Sequence, residues 1–314
     1  MISPLDRYVR LGLLHFMAYP VGDGHGPVLE TLERLLRDPD FEIVEVAWMR
    51  DDTVREEARA LLEASGVETR YGAHPRLLQQ RLDLNAPDDA ARRHAVLEMH
   101  AAIDEALALG ATEVSFLSGP YPGTEEEAAA IGYLVRSIDE LAARAERDGV
   151  RLSLEVFDRD VDKRCLVGPA AVAKEVAERV RARHESFGLI VDLSHTPLLR
   201  ETPSQALQPV RDHLVHVHIG NCVLDDPRHA AYGDTHPRLG YPGGVNGAEQ
   251  VSEFLAELFA IGYLDPTGRR RGSVSFEVKP VGAERPDLVI AASKRVLRDA
   301  WWRLSPSASP EAGS

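Results

Sequence analysis

Eight short apolar runs recur along the chain and alternate with longer segments of helical spacing. The runs are VRLGLLHF (9–16), EIVEVAW (42–48), VETRYGA (67–73), TEVSFLS (112–118), VRLSLEVF (150–157), GLIVDLS (188–194), LVHVHIG (214–220) and SVSFEVK (273–279). Their length and their branched residues suit strands. Amphipathic stretches lie between them at 28–38, 54–65, 91–110, 125–149, 168–184, 247–263 and 284–304. Gly110, Gly149 and Gly262 stand where helices should end, because glycine closes a helix in a left-handed conformation at little cost. Alternation of this kind builds a parallel sheet with right-handed crossovers. Eight units in 314 residues predict a single (β/α)8 TIM barrel, α/β and parallel eight-stranded, over 1–304. An open doubly wound sheet usually has fewer strands and often a Gly-rich phosphate loop, and neither GxGxxG nor GxxxxGK[ST] occurs. The tail SPSASPEAGS (305–314) has the composition of a disordered segment.

In such a barrel the C-terminal strand ends face the active site. The fifth run carries Glu155, the sixth Asp192 with His195 just after it, the seventh His218 and the eighth Glu277. Each polar group interrupts an apolar run. A lone buried carboxylate would cost several kcal/mol or take up a proton. Four such groups at one level can offset one another by sharing a cation. Two Glu, one Asp and one His form an oxygen-rich ligand set that suits Mn²⁺, Mg²⁺ or Co²⁺ and admits Zn²⁺. His195, His213, His216, His218, His229 and His236 cluster between 195 and 236. By two-residue alternation His216 shares a face with His218, one layer deeper.

Composition narrows the partners. A net charge of −14 disfavours nucleic acid, because phosphate binding needs clustered Lys and Arg. No apolar run reaches membrane-spanning length. Cys165 and Cys222 show no paired spacing, as in a cytoplasmic protein with reduced thiols.

The series LEVF, IVDLSH, HVHIGN and FEVKP resembles the xylose-isomerase-like TIM-barrel superfamily, over about 9–303. That group holds sugar (phosphate) isomerases and epimerases, dehydratases, lyases and the zinc AP endonucleases. In its epimerase branch the strand-end acids and histidine hold one divalent metal. The resemblance therefore implies Glu155, Asp192, His218 and Glu277 as ligands of one cation, Mn²⁺ first. It also implies substrate contact by His195 and an acid/base pair in Glu155 and Glu277. A metal chelated by a sugar hydroxyl and the adjacent carbonyl acidifies the intervening carbon-bound proton and stabilises the enediolate. A carboxylate on each side can remove that proton and return it. Isomerisation, epimerisation and β-elimination all begin this way.

The ketose 3-epimerases carry a second acid six residues after the fifth-strand Glu, where Val161 stands here. They also carry an Arg soon after the seventh-strand His, near Leu224. The loop FDRDVDKRCLVGP (157–169) offers Lys163 instead, a candidate for binding an oxyanion. Asp234 and His236 in GDTHPRLGYPGG resemble a piece of the endonuclease branch, in which an Asp-x-His pair and the sixth-strand His bind an additional zinc. His74 matches a further histidine of that branch, whereas Ser118 and Gly119 stand where another is needed. The simpler expectation for Asp234 and His236 is a loop folded over substrate hydroxyls. His15, His74 and Asn221 complete the residues expected at the mouth.

The leading expectation is an enzyme: a metal-dependent isomerase or epimerase of a sugar or sugar derivative. The alternatives are a dehydratase, or a lyase eliminating an aglycone from a 3-oxo-glycoside, as the alpha subunits of C-glycoside deglycosidases do. A DNA repair enzyme and a sugar-binding protein without turnover are weaker alternatives. A homo-oligomer or a partner subunit is compatible with these readings, and the Trp301–Trp302 pair is expected to serve barrel packing or an oligomer contact.

Overall fold

The computed structural model describes residues 4–304; the tail 305–314, expected to be disordered, lies outside the described residues. Eight strands close into a barrel in chain order, β1 beside β8. They are β1 (Val9–Leu14), β2 (Ile43–Ala47), β3 (Glu68–Gly72), β4 (Glu113–Phe116), β5 (Arg151–Val156), β6 (Gly188–Asp192), β7 (Leu214–Gly220) and β8 (Gly272–Glu277). Every pairing is parallel.

The helices are α1 (His15–Ala18), α2 (Val28–Leu36), α3 (Asp52–Ser65), α4 (His74–Gln80), α5 (Asp89–Ala108), α6 (Glu127–Asp148), α7 (Ala170–Arg181), α8 (His195–Leu198), α9 (Pro203–Leu207), α10 (Ala248–Ala260) and α11 (Pro286–Leu304). Local chemistry sets their ends. Asp51 accepts from the Thr53 and Val54 amides at 2.8 and 3.2 Å and opens α3. Gly149, at φ 76°, closes α6. Outward strand residues such as Val217, Val274 and Phe276 are fully buried beneath this helical layer. The short helices α1, α4, α8 and α9 carry too few apolar repeats to be read from the sequence. Among the described residues no helix is long and apolar enough to cross a membrane.

The barrel interior is polar and layered. Register sets His218 beside Asp192 on one side and Ser275 on the other, and sets Gly220 beside Glu277. Toward the N-terminal end, Arg70 meets Glu68 at 2.9 Å and Glu113 at 3.5 Å. At the other end Gly220 leaves room for the site. A Cβ there would stand 2.8 Å from His236 Nδ1 and 2.9 Å from the Glu277 carbonyl oxygen.

Candidate metal centre

Four side chains converge from four adjacent strands. Ligand atoms of Glu155, Asp192, His218 and Glu277 all lie within 4.8 Å of one another, and all four residues are buried. His218 Nδ1 stands 3.2 Å from Glu155 Oε1 and 3.0 Å from Glu277 Oε2. Asp192 is fixed by the Ser194 amide at 2.8 Å, the Ser194 hydroxyl at 2.6 Å and the Gly220 amide at 3.1 Å.

Two observations test whether these residues suit a cation. Glu277 Oε2, His236 Nδ1 and His74 Nε2 are buried yet have no aligned hydrogen-bond partner. Buried polar atoms are rarely left so. The donor set itself, three carboxylates and an imidazole, concentrates negative charge that a divalent ion would balance. The residues fit a divalent cation. A second group, Asp192, His195 and His236, also brings its ligand atoms within 4.8 Å of one another.

The charges within the cage differ by cause. Burial alone would raise Glu155, but His218 and His74 overcome it and hold the carboxyl well below its ordinary range. Burial raises Glu277, and the charge of Glu155 adds to it against the pull of His236. His236 is pushed up to about 9, because Glu277 and Asp234 outweigh its burial.

A wall of paired charges stands beside the cage. Asp234 Oδ1 receives His195 Nε2 at 2.9 Å and His236 Nε2 at 2.8 Å, and Lys163 Nζ lies 3.3 Å from Oδ2. Asp158 builds the loop that delivers Lys163. Its carboxylate accepts the amides of Val161, Asp162 and Lys163 at 2.7, 2.8 and 2.7 Å. His236 is held at φ 52°, a left-handed conformation that costs a non-glycine residue energy. The Lys279 amide donates to its carbonyl at 2.6 Å and ties it to the end of β8.

A cavity of about 770 Å³ opens above this floor. His74, Lys163, Asp234, His236 and Glu277 line it, with Phe16, Met17, Tyr19, Pro75 and Leu78 on one flank. His74 begins α4, and its Nε2 lies 3.0 Å from Glu155 Oε2.

Two expected mouth residues sit elsewhere. The chain leaves β1 at Leu14, so His15 starts α1 and meets Thr31 Oγ1 of α2 at 2.9 Å, outside the cavity lining. Asn221 is buried in its own loop. Its Nδ2 donates to the Arg238 carbonyl at 3.0 Å, and its Oδ1 accepts from the Cys222 and Asn246 amides at 2.9 and 2.7 Å. Gly119 has no room for a side chain, since a Cβ would fall 1.8 Å from Asp83 Oδ1.

The sequence reading missed Glu45. It is buried on β2 and reaches both His216 and His218. The available signal was an acid inside the apolar run IVEVA.

Comparison with known proteins follows the same line. A sequence profile described as xylose isomerase-like TIM barrel matches residues 33–300. No curated protein matches the chain. Among solved structures it is similar to D-psicose 3-epimerase with D-tagatose from Clostridium cellulolyticum H10, at 21% identity and TM-score 0.63, covering 94% of this chain and 96% of that one. It is similar to an L-ribulose 3-epimerase at 17% identity and TM-score 0.70, covering 97% of this chain and 100% of that one. The IOLI protein with a bound zinc atom matches at 17% identity and TM-score 0.70, over 95% of this chain and 99% of that one. At these identities the likeness establishes the shared fold.

Proposed function

The chain belongs to the xylose isomerase-like TIM barrel family, and from that premise we propose that it is a divalent-metal-dependent isomerase or epimerase of a sugar or sugar derivative. One observation carries this reading: the convergence of Glu155, Asp192, His218 and Glu277 within 4.8 Å of one another, with Glu277 also lining an open cavity. The names of the similar structures, two ketose 3-epimerases and a zinc-bound protein, support it.

The four residues would hold the cation, with Mn²⁺ first among Mg²⁺, Co²⁺ and Zn²⁺. A cation there supplies Lewis-acid polarisation of a sugar carbonyl and its neighbouring hydroxyl. Glu155 and Glu277 are the pair that removes a carbon-bound proton and returns it. His195, wedged between Asp234 and the Val156 carbonyl, is held rigid as a cationic edge of the site. Lys163, Asp234, His236 and His74 present donors and acceptors to sugar hydroxyls. The unpaired, buried thiols of Cys165 and Cys222 support a cytoplasmic setting.

The test is solvent deuterium exchange. Protein stripped with chelator and reloaded with each of the four cations is incubated in D₂O with ketoses, aldoses, oxidised sugars and polyols. Metal-dependent incorporation at carbon is the expected result. Its absence on every compound removes the proposal.

The cavity favours a second reading. A space of about 770 Å³ is in the range that holds a drug-sized ligand. Its apolar flank includes Leu78, which is 41% exposed, and suits the aglycone of a 3-oxo-glycoside undergoing β-elimination. Release of aglycone from a 3-oxo-glucoside, with none from the parent glucoside, would select this reading.

A further inference from the structure

Glu45 is a carboxylate of the barrel interior that touches His218 of the candidate metal centre without being one of its four residues. It stands on β2, across the barrel from β7, and is 1% exposed. Oε1 lies 2.8 Å from His216 Nε2, and Oε2 lies 3.3 Å from His218 Nε2. A carboxylate only accepts, so each ring must present an N–H at Nε2 toward it. For His218 this leaves Nδ1, on the opposite edge, facing Glu155 and Glu277. With Nε2–H held by Glu45, Nδ1 is the nitrogen that would give up its proton to a cation and take its place between the two carboxylates.

His216 braces the arrangement from below. Its Nδ1 lies 2.8 Å from Ser273 Oγ, a hydroxyl that can donate to it. The Ser275 hydroxyl stands 3.1 Å from Nε2. The Glu45 carboxylate only accepts, so His216 presents an N–H to it at Nε2. Glu45 is enclosed, and each of its oxygens faces one imidazole. The charge is thus fixed in a buried place with two donors on it.

We propose that Glu45, braced by His216, is a positioning residue that fixes the ring orientation and the tautomer of His218 and so prepares its Nδ1 for the cation. This rests on the metal-dependent reading above. Histidine ligands commonly donate their second ring N–H to a carboxylate, and loss of that partner typically weakens metal binding about 10–100-fold. The metal-binding face of His218 is thereby set from the half of the barrel that supplies none of the four ligands.

The test uses the full chain and three proteins: wild type, Glu45→Gln and His216→Gln. Cation affinity is measured by chelator competition with Mn²⁺ and Zn²⁺. The tautomer of His218 is read from histidine ¹⁵N spectra of the Zn²⁺-loaded protein, assigned against a His216→Gln spectrum. Wild type is expected to show Nε2–H at His218 with Nδ1 bound. Glu45→Gln should bind about 10–100-fold more weakly and lose the single Nε2–H pattern. His216→Gln keeps a donor onto Glu45 and should lose less affinity while retaining that pattern. Wild-type affinity in Glu45→Gln, or wild-type His218 bound through Nε2, overturns the inference and leaves the metal reading standing. If Glu45→Gln does not fold, the wild-type spectrum together with the affinity of His216→Gln decides in the same way. A wild-type chain that binds neither cation overturns the metal reading, and this inference with it.

Discussion

His195 and Asp234 face each other at 2.9 Å through Nε2, while Nδ1 of the same ring lies 2.7 Å from the Val156 carbonyl oxygen. Both neighbours only accept, so the ring carries both protons. Burial opposes that charge, and Asp234 with Asp192 and Glu155 overcomes it, holding His195 well above its ordinary value.

Asp234→Asn therefore leaves His195, His236 and Lys163 without their shared counter-ion. Removing one partner of a buried pair costs about 3–5 kcal/mol, and the amide oxygen retains part of it. A loss of about 2 kcal/mol or more is expected from urea midpoints, with turnover falling while cation affinity changes little. Unchanged stability would show that Asp234 is dispensable to the wall.

Glu277→Gln keeps its shape and one ligand oxygen, so the fold should persist. Cation affinity should fall, because a neutral group replaces an anion. Turnover in saturating metal should fall by about 10²-fold or more, the usual scale of a general acid/base. Near-normal deuterium exchange in this variant would remove Glu277 from proton transfer.

Chelation should abolish exchange activity, and readdition should restore it. One ion per chain is expected by elemental analysis. Two would place another in the Asp192, His195 and His236 group or in the Glu45, His216 and His218 group. A cation at 100 times its Kd should stabilise the chain by about 2.7 kcal/mol, visible as a rise in Tm that depends on concentration.

His15 predicts a pH dependence away from the site. Burial lowers its pKa from 6.5 to about 3. Below pH 6.5 the unfolded chain takes up a proton that the folded chain refuses, so stability falls as pH drops from 6.5 toward 3. Relative to His15→Gln, wild type should lose about 2 kcal/mol between pH 7 and pH 5. Parallel curves for the two proteins would show that His15 titrates normally in the fold.

The barrel was legible in the sequence because each strand repeats one physical demand, an apolar outer face beneath helices. The four-residue floor was legible because Glu155, Asp192, His218 and Glu277 violate that demand at matching depth. Glu45 violates it too, but one acid between Val44 and Val46 carries no mark of which strand lies opposite. Closure of the barrel supplies that partner. His15 was misplaced because the run 9–16 continues apolar past the point where the chain turns into α1. Asn221 has a side chain suited to a sugar hydroxyl, and only the folded loop shows that Arg238, Cys222 and Asn246 already occupy its amide.

The four floor residues come from β5 to β8, whereas the segments 16–23 and 74–79 of the other half line the cavity's far flank. The circumference is thus divided into an arc that carries the four clustered residues and an arc that, His74 and Glu45 apart, stands clear of them. Substitutions at Met17, Tyr19 or Leu78 can reshape what the cavity admits without disturbing the acids. A lineage built on this chain can therefore change its substrate while inheriting its reaction.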